Sequence, residues 1–166
     1  MTRHTVIDSP VGPLMLVADA ESLSGCYFTP HQYPPDRIGE RVAGDALFGS
    51  AASQLGEYFA GERTAFDFPL APTGPDLHER VWRRLVEIPY GGRITYGELA
   101  VELGDRALAQ SVGQAVGHNP ISIIIPCHRV VGADGSMTGF AGGIPRKRYL
   151  LDLEGKDTLF PPEPPG

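Results

Sequence analysis

Short apolar runs separated by turn residues open the chain. Residues 5–7 and 14–17 have the length and β-branched content of strands, and residues 9–13 between them are mostly proline, glycine and serine. Residues 23–28 form a third apolar run. The pattern predicts a β-hairpin and a third strand, which together make a small antiparallel sheet.

Residues 29–44 contain several prolines and charges, which indicates a loop. A pattern with helical spacing begins after this loop. Apolar residues then recur at the spacing of one helical face, and Gly61 ends the pattern. We predict one helix that buries this face. Its apolar positions are Leu47, Ala51, Leu55, Tyr58 and Phe59.

A linker composition marks residues 71–75, after a short alternating segment at residues 66–70. We place a domain boundary there. The chain is predicted to hold an N-terminal α/β domain over residues 1–72, a C-terminal domain over residues 73–157 and a flexible tail over residues 158–166.

The second domain begins with an amphipathic pattern that ends at residues 89–92. Asp76 and Glu79 have the spacing of a helix cap, so the helix is predicted to start at Asp76. The buried stripe of this helix is predicted to comprise Val81, Trp82, Leu85 and Val86.

Two further short helices are indicated next. A capping box at Thr95 and Glu98 opens a helix predicted over residues 96–103. After a glycine turn, Asp105 is predicted to cap a second helix ending near Gly117, which makes a helix-turn-helix. The many small residues of the second helix favour either close helix packing or close approach of a DNA backbone. They are Ala107, Ala109, Ser111, Gly113, Ala115 and Gly117.

The last part of the chain combines strands, a loop and a helix. Residues 121–125 are apolar and β-branched and predict a buried strand, and Val130 with Val131 predicts another. Residues 137–143 are predicted to form a glycine-rich loop. Pro145 is expected to begin a helix with a buried stripe and outward-pointing cations. The stripe is Tyr149, Leu150 and Leu153, and the cations are Arg146, Lys147 and Arg148.

Cys127 is the candidate nucleophile. Pro126 fixes one backbone dihedral before it, and His128 beside it is placed to accept the thiol proton directly or through a water. Because only the thiolate is a good nucleophile, His128 or the cation of Arg129 would activate Cys127 by lowering its pKa. The alternative is a buried, inert thiol.

Length and composition limit the class of protein. At 166 residues, with no long apolar span or leader, the chain suits one compact domain or two small ones, and we expect a soluble, cytoplasmic protein. Two cysteines are too few for a disulfide framework, and Cys26 is expected to pack in the small sheet. His4, Cys26 and His31 lack the spacing of a zinc site, so neither a metal nor another cofactor is predicted.

The net charge of −6 is distributed unevenly. Residues 1–76 carry four basic and ten acidic residues, residues 77–118 carry five of each, and residues 119–151 carry four basic and one acidic. The basic excess surrounds Cys127 in sequence and predicts a positive surface that faces a polyanion, with a chance patch as the alternative.

The residues around Cys127 resemble those of the O6-alkylguanine-DNA alkyltransferases. Residues 126–130 (Pro-Cys-His-Arg-Val), with Gly-His-Asn-Pro at 117–120 and the glycine-rich 139–143, are similar to the family's motifs. The resemblance covers residues 76–155 and implies an α+β fold. A three-stranded antiparallel sheet with helices, ribonuclease-H-like, would precede a mainly helical, winged helix-turn-helix-like domain.

The resemblance also implies a repair reaction on double-stranded DNA by a monomer. O6-alkylguanine would be flipped out through the minor groove, and its alkyl group would move irreversibly to Cys127. His128 would be the water-mediated base and Glu154 its charge-stabilising partner. Asn119 would brace the turn before the active-site segment, and Tyr96 would help to protonate the departing guanine.

Further positions are implied to contact the substrate or the DNA. The Val130 carbonyl and the Ala141 N–H would contact the guanine edge. The other members of this group are Gln110, Ser111, Gly113, Arg129 and Phe140.

Two of these positions depart from the family's pattern. Gln110 stands where an arginine usually fills the gap left by the flipped base, so weaker flipping or affinity is expected. Arg106, one turn earlier, is a candidate for electrostatic compensation. Phe140 stands where a tyrosine is common, which removes a hydroxyl beside the pocket.

Two alternative functions remain open from the sequence. One is a non-catalytic relative that binds alkylated guanine, which Gln110 allows and the intact Cys127 opposes. The other is a cysteine hydrolase built on Cys127, His128 and Glu154, for which a helix-turn-helix has no evident use.

Overall fold

Two sheets and five helices make up the described part of the chain, residues 2–29, 35, 37–133 and 143–155 of a computed structural model. The strands are β1 (Thr2–Ile7), β2 (Leu14–Asp19), β3 (Ser22–Phe28), β4 (Glu40–Arg41), β5 (Ile94–Thr95) and β6 (Val130–Val131). The helices are α1 (Ala46–Phe59), α2 (Asp76–Val86), α3 (Tyr96–Glu102), α4 (Ala109–Gly117) and α5 (Ile144–Leu153). The predicted α+β class is confirmed.

The N-terminal sheet has the strand order β3-β2-β1-β4. Strands β1, β2 and β3 are antiparallel, as their apolar runs predict, and β1 and β2 form the expected hairpin with Ile7 opposite Leu14. The short β4 pairs in parallel with β1 and extends the predicted three-stranded sheet. Its two residues, Glu40 and Arg41, are charged and exposed, so no apolar pattern marked them.

Helix α1 buries the face that its apolar period predicts. Asp45 caps the helix by accepting hydrogen bonds from the N–H groups of Leu47 and Phe48 at 3.0 and 3.2 Å. At the other end, Tyr58 and Phe59 are buried in the core. The last turn of α1 therefore points its aromatic side chains towards the rest of the molecule.

Helix α2 joins the core to the helix-turn-helix. Asp76 is its first residue and Pro75 stands at the cap, so the predicted Asp76 cap is wrong. The Trp82 indole N–H donates to the Ala115 carbonyl of α4 at 2.8 Å. Val86, predicted to be buried, is 51% exposed because it lies at the helix end.

Helices α3 and α4 form the predicted helix-turn-helix. Both hydrogen bonds of the capping box at Thr95 and Glu98 are present, each at 3.0 Å. Asp105 caps a short 3-10 turn at residues 106–108 by accepting a backbone N–H at 2.9 Å. Helix α4 begins only after this turn, so it is shorter than predicted.

Residues 121–125 are buried as predicted, but they form consecutive turns instead of a strand. The Ile125 N–H donates to the Ile121 carbonyl at 2.9 Å, and Ile123 has a φ of 72°. A β-branched residue in this left-handed region is strained by about 1–3 kcal/mol. An apolar run indicates burial but does not distinguish an extended path from a tightly turned one.

Strand β3 of the N-terminal sheet packs directly against these turns. The Cys26 N–H of β3 donates to the Pro120 carbonyl at 2.8 Å, and the Cys26 carbonyl accepts from the Ser122 N–H at 3.0 Å. From α5, Arg146 donates to the backbone carbonyls of Val11 and Thr29 at 2.8 and 3.1 Å. Contacts on both sides thus fix the segment that leads to the candidate nucleophile.

No helix in the described ranges is long and apolar enough to cross a membrane. The predicted tail at residues 158–166 and most of the predicted loop, residues 137–142, lie outside the described residues.

Candidate active site

Cys127 lies in a buried 3-10 turn, Cys127–Arg129, immediately after Pro126. The residue is 4% exposed. The next residue enters β6, which pairs with β5 directly before the helix-turn-helix. The turn therefore places the thiol at the base of the helix-turn-helix.

Asn119 holds together the turns that precede Cys127. Its side-chain amide donates to the Ile125 carbonyl at 2.8 Å and accepts from the Ile121 N–H at 3.0 Å. Its side chain also lowers the pKa of Cys127. Asn119 is 1% exposed, so water does not compete for these bonds. It occupies the place that a brace for this segment requires.

His128 pairs with Glu154 in the interior. Its Nε2 lies 2.7 Å from Glu154 Oε2, and the two side chains are 0% and 1% exposed. Beside an ionised carboxylate Nε2 carries the proton, so Nδ1 is the basic nitrogen. Nδ1 is buried and has no hydrogen-bond partner among the described residues. The imidazole is thus held in the tautomer that a base for the neighbouring thiol needs.

Glu154 follows α5 and collects several hydrogen-bond donors. Arg129 donates from Nε to Oε1 at 2.8 Å and from Nη2 to Oε2 at 2.9 Å. The Tyr58 hydroxyl donates to Oε2 at 2.6 Å, and the Gly91 N–H reaches Oε1 at 3.4 Å. Gly91 has a φ of 78°, and a Cβ there would lie 3.2 Å from the Glu154 carbonyl oxygen, so glycine suits this position.

Arg129 belongs to this buried cluster and not to a DNA-facing surface. It is 6% exposed, donates to the Ile88 carbonyl at 2.6 Å and lies 5.8 Å from the ring centroid of Tyr90. The expectations that Arg129 contacts DNA and that it activates the thiol do not fit this placement. Its positive charge compensates Glu154 instead.

Burial dominates the ionisation of the reacting pair. It raises the pKa of Cys127, while the Asn119 hydrogen bond and the Lys147 charge lower it. Burial lowers the pKa of His128, while the hydrogen bond that His128 donates to Glu154 raises it. Burial would also raise the pKa of Glu154, but His128 and Arg129 hold it well below the usual carboxyl range. The resting site therefore holds a neutral thiol, a neutral imidazole and a carboxylate.

The prediction that Lys147 points outward is wrong. Lys147 is 1% exposed and its Nζ donates to the Val130 carbonyl at 2.6 Å. Burial lowers its pKa to about 8, while the nearby Cys127 raises it. A signal was present in the sequence, because Lys147, Leu150 and Glu154 are spaced three and seven residues apart on one helical face.

Tyr96 and Gly113 meet where α3 and α4 come together. A Cβ on Gly113 would lie 3.9 Å from the Tyr96 ring, and the Tyr96 ring centroid is 5.9 Å from the Lys147 ammonium nitrogen. Gln110 and Ser111 are exposed on α4. Tyr96 is therefore half-buried on the side of Cys127, whereas Gln110 and Ser111 lie on the exposed face of α4.

The guanine-edge contacts are described only in part. The Val130 carbonyl already accepts from Lys147, and its second lone pair leaves room for another donor. Phe140 and Ala141 lie outside the described residues.

The basic excess of residues 119–151 does not form a surface patch. Arg129 and Lys147 are buried, Arg146 is bound to backbone carbonyls, and Arg148 is exposed. The positive surface predicted from this segment is therefore wrong, since most of its charge serves the interior.

Among the described residues, no three histidine, cysteine or acidic side chains are placed to hold a metal ion. His4 Nδ1 contacts the Ile38 carbonyl at 3.1 Å, and Cys26 is buried in β3. His31 lies outside the described ranges.

A buried cysteine next to a histidine–glutamate pair, at the base of a helix-turn-helix, is the arrangement expected of a protein that carries out thiol chemistry on DNA. Two family profiles match the chain. Residues 2–72 match "6-O-methylguanine DNA methyltransferase, ribonuclease-like domain", and residues 76–156 match "6-O-methylguanine DNA methyltransferase, DNA binding domain".

Known relatives agree with these profiles. The methylated-DNA–protein-cysteine methyltransferase of Mycobacterium tuberculosis is 47% identical over 154 residues, which cover 93% of each chain. That of Methanosarcina acetivorans is 43% identical over 152 residues, 92% of this chain and 97% of its own. The crystal structure of Mycobacterium tuberculosis OGT in complex with DNA superposes with a TM-score of 0.87 at 47% identity, covering 92% of each chain. The chain belongs to the 6-O-methylguanine DNA methyltransferase family, which confirms the resemblance.

Proposed function

We propose that this protein repairs O6-alkylguanine in double-stranded DNA by moving the alkyl group irreversibly to its own Cys127. The carrying observation is the buried set of Cys127, Asn119, His128 and Glu154 behind a helix-turn-helix, in a chain of this family. The names of its relatives, methylated-DNA–protein-cysteine methyltransferases, support the same activity.

The transfer is a displacement at the alkyl carbon. The Cys127 sulfur forms a bond to this carbon while the bond from carbon to O6 breaks, and that electron pair stays with guanine. The thiol proton passes through a water to His128 Nδ1, and guanine takes one proton from the Tyr96 hydroxyl. His128 then releases its proton to solvent, and solvent restores the proton of Tyr96. Burial and the Cys127 charge raise the pKa of Tyr96 to about 12, so Tyr96 is a hydroxyl donor at neutral pH. The thioether product is stable, so each molecule acts once.

Helix α4 carries small side chains on the face that is proposed to enter the DNA minor groove. Ser111 and Gly113 on this helix are small, which permits close approach to the backbone. Exposed Arg93 precedes the helix-turn-helix and exposed Arg106 lies in its turn, and both supply cations for phosphates. Binding is thereby expected to depend on salt and little on base sequence.

Lys147 is expected to support the thiolate. Lys147→Met removes a buried cation near the sulfur, so the thiol ionises at higher pH and the transfer rate at neutral pH falls about tenfold, or one pKa unit. The measurement is the rate of methyl transfer from an O6-methylguanine duplex as a function of pH. Arg148→Met, on the exposed neighbour, is the matched control and should retain the wild-type profile. Equal profiles for the two variants would contradict this role of Lys147.

Gln110 is expected to limit DNA affinity. Gln110→Arg adds a cation to the exposed face of α4 and should tighten binding to lesion-containing duplex about threefold to tenfold, as one added charge contact would. Gln114→Arg places the same charge one turn further along α4. If Gln114→Arg tightens binding equally, the gain is general electrostatics and position 110 has no special role.

The stoichiometry of repair tests the proposed function. With DNA in excess, the amount of guanine restored should equal the amount of protein and then stop. Repair that continues beyond one equivalent would favour a hydrolytic enzyme. Tight binding with no guanine restored would favour a non-catalytic lesion binder.

We place the protein in the cytoplasm as a monomer with duplex DNA as its partner. Its two cysteines, Cys26 and Cys127, are unpaired and buried, which suits a reducing compartment. The proposed mechanism uses side chains of one chain and needs no cofactor.

A further inference from the structure

Tyr58 belongs to the N-terminal domain, but its hydroxyl lies in the active site. It stands in the last turn of α1, is 0% exposed and donates to Glu154 Oε2 at 2.6 Å. The same oxygen accepts the Nε2–H of His128 at 2.7 Å. Nothing in the transfer reaction described above uses this tyrosine.

Aromatic packing fixes the position of the Tyr58 ring. The ring centroids of Phe59, Phe66 and Tyr90 lie 5.4, 5.7 and 6.2 Å away, with edge-on or tilted geometry. The ring therefore has no room to swing, and its hydroxyl is presented to Glu154 from a rigid wall. The contact joins residues 96 positions apart in the chain.

We propose that Tyr58 is a positioning residue for the transfer reaction, whose hydroxyl orients the Glu154 carboxylate towards His128 and takes up part of the charge on Oε2. The proposal rests on the proposed function, in which the thiol proton of Cys127 passes to His128 and Glu154 is the partner of His128. These three side chains are called the relay below. A carboxylate oxygen that also accepts from a tyrosine attracts an imidazolium less strongly. Tyr58 thus helps to keep His128 neutral until the thiol proton arrives.

Other charged and titratable groups face the relay from the surrounding elements. They are Arg129 and Tyr90 beside Glu154, and Lys147, Tyr96 and Cys26 near Cys127. Burial raises the pKa of Cys26 and of Tyr96 to about 12, and burial lowers that of Lys147 to about 8. The acid limb of a rate profile therefore reports the coupled Cys127–His128 pair.

The test is the pH profile of methyl transfer by the full-length Tyr58→Phe variant. Loss of the donor makes Glu154 a stronger partner for protonated His128, so the pKa of His128 rises and the base stays protonated to a higher pH. The acid limb should move to higher pH by about half a unit, a typical effect of one hydrogen bond on a neighbouring charge. The plateau rate should fall severalfold because the carboxylate is held less firmly.

Tyr149→Phe is the matched control. Tyr149 is also buried and packs 6.4 Å from Phe59, centroid to centroid, but it makes no hydrogen bond to Glu154. Its profile should keep the wild-type acid limb. A Tyr58→Phe profile that is only scaled down, or whose acid limb moves to lower pH, overturns the proposal. Wild-type protein that transfers nothing at any pH would instead contradict the proposed function.

Discussion

Cys127→Ser abolishes alkyl transfer while affinity for the lesion duplex stays within about twofold, because DNA-positioning contacts lie elsewhere. A serine hydroxyl is a far weaker acid than a thiol, and the relay around residue 127 cannot ionise it at neutral pH. The substitution changes one buried atom, at a residue 4% exposed, so the helix-turn-helix is expected to persist. Restoration of guanine in an O6-methylguanine oligonucleotide and fluorescence anisotropy of the labelled duplex measure the two properties.

Cys26→Ser is the control for this result. Cys26 is the second thiol of the chain, fully buried in β3, and burial raises its pKa to about 12. The Cys26→Ser variant should transfer the alkyl group at close to the wild-type rate. If Cys127→Ser retained transfer and Cys26→Ser lost it, the alkyl acceptor would be Cys26, which would contradict the proposed function.

Glu154→Gln is expected to damage both the reaction and the fold. The amide cannot stabilise protonated His128, and loss of assistance to a general base costs about 100-fold in transfer rate. The change also leaves the buried Arg129 cation without its carboxylate, which costs about 3–5 kcal/mol in the free energy of unfolding. Single-turnover kinetics and urea unfolding measure the two effects.

The pH dependence of this stability loss has a definite sign. The pKa of Glu154 is held well below its ordinary value, so its stabilisation is present above the unfolded-state value and is lost as pH falls through the folded value. The gap between wild type and Glu154→Gln should persist at neutral pH and close only in acid. Glu102→Gln, which breaks an exposed pair with Arg84, should cost under about 1 kcal/mol. A comparable loss in both variants would contradict the buried cluster as the cause.

The apolar patterns predicted the antiparallel strands, the faces of the helices and the helix-turn-helix, because one-sided burial has a clear period. They failed at residues 121–125, where a buried run makes turns and Ile123 adopts a positive φ. Side-chain hydrogen bonds from Asn119 and backbone hydrogen bonds to the distant Cys26 hold this path. Such contacts leave no local mark in the sequence.

The site residues that lie next to one another in the sequence were predictable, and those brought together only by the fold were not. Cys127 and His128 were evident from adjacent residues, whereas Glu154 entered through the family resemblance. Lys147 was misjudged because a charged residue in a cation-rich stretch usually faces solvent. The role proposed for Tyr58 depends on a contact with Glu154, 96 positions away in the chain, which no spacing within α1 reveals.

The most direct test of the whole account is the mass of the protein after reaction. The intact chain is incubated with excess O6-methylguanine duplex under reducing conditions, and its mass is then determined together with that of the peptide containing Cys127. The account predicts a gain of one methyl group per chain, located on the Cys127 sulfur. An unchanged mass, or a methyl group found on any other residue, would contradict it.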